Sequence, residues 1–149
     1  MAARRVLVFL DASVLVAASR SLTGGSALVL EVCSGRRFRG ALTNRVLLEA
    51  RKNISLKFGE EELVRLYRLL AALDPEMVPA PPLERIRACG GLIAEKDAHV
   101  LAGALECKAG YLVTLDRRHF LTPALLAADL PTRLLTPGDF LREVVRQQS

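Results

Sequence analysis

An α/β fold, with a central parallel sheet of four to five strands sandwiched between helices, is the class that this 149-residue sequence predicts, on three observations. The run Val6-Leu7-Val8-Phe9-Leu10 is apolar and β-rich without alternation, the pattern of a strand covered on both faces. The stretch from Ala94 to Phe120 predicts a helix that leads directly into a second strand of this kind, Tyr111 to Leu115. Each strand is followed by a carboxylate, Asp11 and Asp116. In open α/β sheets ligands collect at the carboxyl ends of strands, so both acids are placed for chemistry.

In chain order, a short helix over Ser13 to Ala18 follows the first strand. The turn Thr23-Gly24-Gly25-Ser26 comes next, with Ser26 as cap of an apolar helix from Ala27 to Cys33. Gly40-Ala41-Leu42-Thr43 forms another short strand and Asn44 caps the next helix. There Val46, Leu47, Ala50 and Ile54 share a buried face, with Glu49 about 100° from its centre. Glu60, Glu61 and Glu62 open a further helix whose apolar face is Leu63, Leu66, Leu69 and Leu70. The proline-rich connector from Asp74 to Pro82 is an internal loop with an edge strand over Met77 to Ala80. The polar Glu84 to Arg87 leads through Gly90-Gly91 to the next helix, where Asp97, Val100, Leu101, Ala104, Leu105 and Lys108 share one face. His99, Ala102 and Glu106 lie opposite, and Gly110 supplies the C-terminal cap. A short helix near Ala124 to Ala128, an edge strand over Arg133 to Leu135 and a closing helix follow. The last begins Thr136-Pro137-Gly138-Asp139, so Asp139 is explained by capping.

With 51% hydrophobic residues, the chain suits a single compact domain over residues 1–149. Lys and Arg exceed Asp and Glu by 21 to 16, a formal charge of +5 that favours a polyanionic partner. Cys33, Cys89 and Cys107 are odd in number and widely spaced, which fits neither a disulfide framework nor a zinc ribbon; buried thiols in a reducing cytoplasm are expected. Asp11 interrupts what would otherwise resemble a secretory leader, and no apolar run approaches the length of a membrane span.

Four carboxylates, Asp11, Glu49, Asp97 and Asp116, are candidates to meet at one rim of the sheet. Two of them at about 5 Å would repel by roughly 3 kcal/mol at an effective dielectric near 20. Such a cluster either takes up protons or holds a divalent cation, and oxygen ligands favour Mg²⁺ or Mn²⁺ over zinc. A hydrated cation held in this way suits hydrolysis of a phosphodiester. Each residue has a plainer reading as well: Asp97 as a first-turn acid, Glu49 as a solvated flank residue, and Arg117 and Arg118 as solvated loop cations rather than phosphate contacts. His99 faces away from Asp97, and His119 shows no partner in the sequence.

Val8-Phe9-Leu10-Asp11-Ala12-Ser13-Val14-Leu15 resembles the opening strand and first acidic residue of the PIN-domain nucleases, especially the toxins of bacterial VapC-type toxin–antitoxin modules. Thr43-Asn44-Arg45-Val46-Leu47-Leu48-Glu49 is similar to the family's second acidic segment. Asp97 with its helix and Tyr111-Leu112-Val113-Thr114-Leu115-Asp116 are similar to the third and fourth. Ala12 stands where the family often carries a hydroxyl, and Ser13 retains a small polar side chain. The resemblance implies a metal-dependent endoribonuclease in which Asp11, Glu49, Asp97 and Asp116 ligate Mg²⁺ or Mn²⁺ and one of them orients the attacking water. It also implies an RNA substrate, a homodimer and a cognate antitoxin as partner; Ser13, Thr114, Arg117 and Arg118 are the candidates to lie beside the RNA. Two other classes remain open at this level: a non-catalytic RNA- or protein-binding module with the same fold, and an aspartyl phosphatase or phosphoacceptor using Asp11. The second lacks the acid usually needed two residues on, where Ser13 stands.

Overall fold

The computed structural model describes residues 4–148. In chain order its elements are β1 (Val6–Leu10), α1 (Ala12–Arg20), α2 (Gly25–Val32), β2 (Phe38–Leu42), α3 (Asn44–Lys57), α4 (Glu60–Leu73) and β3 (Glu76–Met77). They continue with α5 (Leu83–Cys89), α6 (Glu95–Glu106), β4 (Tyr111–Val113), α7 (Arg117–Phe120), α8 (Pro123–Ala127), β5 (Arg133–Leu135) and α9 (Pro137–Gln148). Among the described residues the five strands form one parallel sheet in the order β3-β2-β1-β4-β5, as the apolar runs predict.

The sheet winds outward from β1 in both directions. Val8 pairs with Gly40 of β2 on one side and with Tyr111 of β4 on the other. Right-handed crossovers then send the helices of the two windings to opposite faces. Side chains agree: a Cβ on Gly40 would meet Leu10 and Leu73 of α4, whereas a Cβ on Gly103 of α6 would meet the Phe9 ring at 2.9 Å. Successive residues of β1 thus serve the two helical layers, and Val8, Phe9 and Leu10 are fully buried. A buried Leu or Phe contributes about 1.5–3 kcal/mol of transfer free energy, which concentrates stability on this central strand.

Local boundaries differ from expectation where a side chain outcompetes propensity. Thr43, rather than Asn44, caps α3: its Oγ1 accepts from Val46 N at 3.3 Å, and β2 accordingly runs from Phe38 and ends at Leu42. Gly24, rather than Ser26, is the cap of α2. Glu76–Met77 is the edge strand in place of Met77 to Ala80, and the polar stretch before Gly90 is the helix α5. β4 stops at Val113: after the last bond to β5, Thr114 N to Leu135 O, Leu115 N donates to Ser13 Oγ and Asp116 N to Thr114 Oγ1. α6 starts at Glu95 and is buried nearly all round, His99 and Ala102 included, since it lies between the sheet and α5 rather than at the surface. It ends with Lys108, not Gly110, in the left-handed conformation, at φ 57°. Gly110 is required for close approach instead, as a Cβ there would lie 2.8 Å from Val6 Cγ1. Among the described residues no single helix is long and apolar enough to cross a membrane. Cys33 and Cys89 are buried free thiols, and burial pushes Cys33 up to about 12; Cys107 is partly exposed.

Candidate metal centre

The strand order reverses between β1 and β4, and the loops after these two strands carry Asp11 and Asp116. This is the switch point at which open α/β sheets form their crevice. Asp11 takes the N-cap position of α1, yet its carboxylate makes no capping bond. Its Oδ2 accepts from Ser13 Oγ at 2.7 Å and from Thr114 Oγ1 at 2.8 Å. Thr114 Oγ1 in turn accepts from Asp116 N at 3.0 Å, and Ser13 Oγ accepts from Leu115 N at 3.1 Å. Two hydroxyls thereby lock the ends of β1 and β4 together and hold the Asp11 carboxylate at the rim, with only 7% of the residue exposed.

Asp116 caps α7, its Oδ1 accepting from His119 N at 3.1 Å. Its Oδ2 lies 2.8 Å from His119 Nδ1, so a carboxylate and an imidazole three residues apart form a partly buried pair. Asp97 approaches the same place from the first turn of α6. One ligand atom from each of Asp97, Asp116 and His119 lies within 4.8 Å of the other two. Asp97 Oδ2 is sealed from solvent and has no hydrogen-bond partner among the described residues. Burial raises the Asp97 carboxyl above its usual range; Lys96 and His119 pull it down and the charges of Asp116 and Asp11 push it up. Three acids from three separate elements therefore share one electrostatic environment.

Glu49 stands beside this group rather than within it. Its Oε1 lies 2.8 Å from Nε2 of His99, which is 3% exposed. Desolvation lowers the His99 pKa against the opposing pull of Glu49, so the neutral ring, with Nε2–H donating to the carboxylate, is the favoured form. The Asp11 charge, like that of Glu49, raises the His99 pKa, against desolvation and the charge of Arg45. Of the remaining candidates, Ser13 and Thr114 are the hydroxyls bonded to Asp11, and Arg117 and Arg118 are exposed on α7 directly after Asp116.

Sequence reasoning left both histidines without partners. The i, i+3 spacing of Asp116 and His119 was a usable signal, once the residues after Asp116 were recognised as a helix. The contact between Glu49 and His99 joins α3 to α6 across 50 residues and has no local signature.

An acidic cluster with an orphaned buried oxygen and an oxygen-rich donor set fits a hard divalent cation. The adjacent imidazole is compatible with Mn²⁺ as well as Mg²⁺.

No family model matches the chain, and no curated protein matches it in sequence. Solved structures do. VapBC2 from Rickettsia felis, bound to a DNA fragment from its promoter, aligns with a TM-score of 0.65 at 19% identity, covering 87% of this chain and 98% of that one. PAE2754 from Pyrobaculum aerophilum aligns with a TM-score of 0.62 at 19% identity over 98% and 94% of the two chains. FitAcB from Neisseria gonorrhoeae gives 0.58 at 18% identity over 88% and 98%. These are PIN-domain proteins of the VapC and FitB toxin–antitoxin type, and theirs is the fold that this chain adopts.

Proposed function

We propose that the protein is a divalent-cation-dependent endoribonuclease, the toxin member of a toxin–antitoxin pair. The observation that carries this reading is the convergence of Asp97 and Asp116 beside Asp11, with Asp97 Oδ2 buried and unpartnered. Left alone, such a group stores repulsion and desolvation cost; a bound Mg²⁺ or Mn²⁺ would relieve both.

Asp11, Asp97 and Asp116 would hold the ion, with Glu49 as a fourth acid at the margin. The ion supplies Lewis acidity toward a phosphodiester and lowers the pKa of a bound water. The chain's own residues do the rest. Ser13 and Thr114 fix the Asp11 carboxylate by donating to Oδ2, so its orientation does not have to be set during the reaction. His99 holds Glu49 by donating from Nε2, leaving the other carboxylate oxygen to orient or deprotonate the attacking water. His119 steadies Asp116 in the same manner. Arg117 and Arg118, exposed beside Asp116, would contact RNA phosphates and fix the strand's register. An antitoxin partner belongs to this reading, supported by the VapBC2 and FitAcB structures that share the fold, and a homodimer is proposed with it.

The test is cleavage of single-stranded and structured RNA by the purified protein. Fragments should appear with Mn²⁺ or Mg²⁺ and disappear with EDTA and in Asp11→Asn. Cleavage persisting in that variant would reject the reading, whereas salt-sensitive RNA retention without fragments would put a binding module in its place.

A further inference from the structure

The opposite end of the sheet, where β1 and β4 begin, contains a cavity of about 570 Å³ with Arg4, Arg5, Arg39 and Lys108 in its walls and Glu76 as its one carboxylate. Strand register builds it. Leu7 pairs with Arg39, and Ala41, two residues on, pairs with Glu76, so Arg39 and Glu76 come to the same edge. Gly110 N donates to Leu7 O at 2.9 Å, which ties the turn containing Lys108 onto the start of β1.

The cations here are under-neutralised. Arg39 reaches Glu76 only at 3.5 Å, and its Nε is shut off from solvent with no partner among the described residues. Among the described residues neither Arg4 nor Lys108 has an ion pair, and Arg5 donates to the Gly35 carbonyl at 3.3 Å. A buried guanidinium nitrogen without an acceptor is costly, and its planar fork matches a phosphate oxygen pair. Lys108 is held at φ 57°, a conformation that a non-glycine residue adopts only under constraint. The cavity volume lies within the roughly 300–1,000 Å³ of small-molecule sites, well above the needs of a single inorganic anion.

We propose that this cavity is a second binding site, for a phosphate-bearing small molecule of nucleotide size, separate from the acidic centre at the other end of the sheet. Arg39 would take the phosphate through its Nη groups, with Arg4 and Lys108 neutralising the remaining charge. The site does not depend on the ribonuclease reading.

The experiment is calorimetric titration of the full chain in chelating-resin-treated, metal-free buffer with inorganic pyrophosphate and with adenosine diphosphate. Saturable one-site binding of both is expected. Lys108→Gly and Arg39→Gln should each weaken it at least tenfold, and Asp11→Asn should leave it unchanged. Glycine at 108 accepts the positive φ, so this variant removes the cation from a fold that circular-dichroism melting should show intact. Absence of saturable binding by the wild type overturns the proposal, as does unchanged affinity in folded Lys108→Gly or loss of binding in Asp11→Asn. Pyrophosphate binding without adenosine diphosphate binding overturns the nucleotide size.

Discussion

The two ends of one sheet carry opposite chemistry. At the carboxyl ends of β1 and β4, Asp97 and Asp116 crowd together with His119, with Asp11 nearby, around an oxygen that no described residue satisfies. At the amino ends, Arg4, Arg5, Arg39 and Lys108 surround a cavity with a single carboxylate. The formal charge of +5 describes neither end, because it averages over a separation the fold imposes. Helix α6 connects the two: Asp97 lies in its first turn and Lys108 just past its end, and its 12 residues span about 18 Å. Burial on nearly every side makes α6 a rigid spacer between them.

Substitutions can strike either end or both. The largest effect is expected for Asp11→Asn, which should lower the RNA cleavage rate by about 10³-fold, the scale seen when a preorganised electrostatic group is removed, with little change in melting temperature. Gly103→Ala should disturb both ends together. Its new methyl would meet Phe9 at 2.9 Å, and such overpacking costs about 1–3 kcal/mol, readable as a lower denaturation midpoint at unchanged m-value. Cleavage and nucleotide binding should decline in parallel, and a defect at one end only would break the picture of α6 as spacer. Lys108→Gly should instead raise stability, by about 1 kcal/mol, by removing the left-handed strain, while leaving cleavage intact.

Smaller effects appear in pH dependence. Between its usual value of 3.8 and its raised folded value, Asp97 keeps a proton in the folded chain that the unfolded chain has released. Stability therefore falls as pH rises through that window, and the deficit persists at neutral pH. Metal-free Asp97→Asn should melt above the wild type at pH 7 and lose that advantage in acid; Mn²⁺ should reverse the order at pH 7 by stabilising only the wild type. His99 has the opposite sign. Its folded pKa lies below the usual 6.5, so the unfolded chain binds a proton first and stability drops as pH falls below that value. His99→Gln should flatten this part of the melting-temperature profile.

Much of the acidic end was legible in the sequence, and little of the basic end. β1 and Asp11 follow from an apolar run closed by a carboxylate, and Asp97 from its place at the head of a helical stripe, both local patterns of period or composition. The uniform burial of α6 was not legible, because periodicity reports the preferred face of a helix and not how many neighbours cover it. Thr43 took the role expected of Asn44 because one hydrogen bond decided the geometry, and Lys108 that expected of Gly110, which instead lies close against the Val6 side chain. The basic cavity depends on which residue of β2 lies beside Leu7, and inter-strand register has no short-range signature. The Glu49–His99 contact was hidden because it joins two helices across 50 residues of sequence.

The central claim, that acids from three elements form one cation site, is tested most directly by titrating the metal-free protein with Mn²⁺ under electron paramagnetic resonance. The account predicts saturable loss of the free-ion signal in the wild type and at least tenfold weaker uptake in Asp97→Asn and Asp116→Asn. A signal that stays free in the wild type, or uptake unaffected by both substitutions, would contradict it.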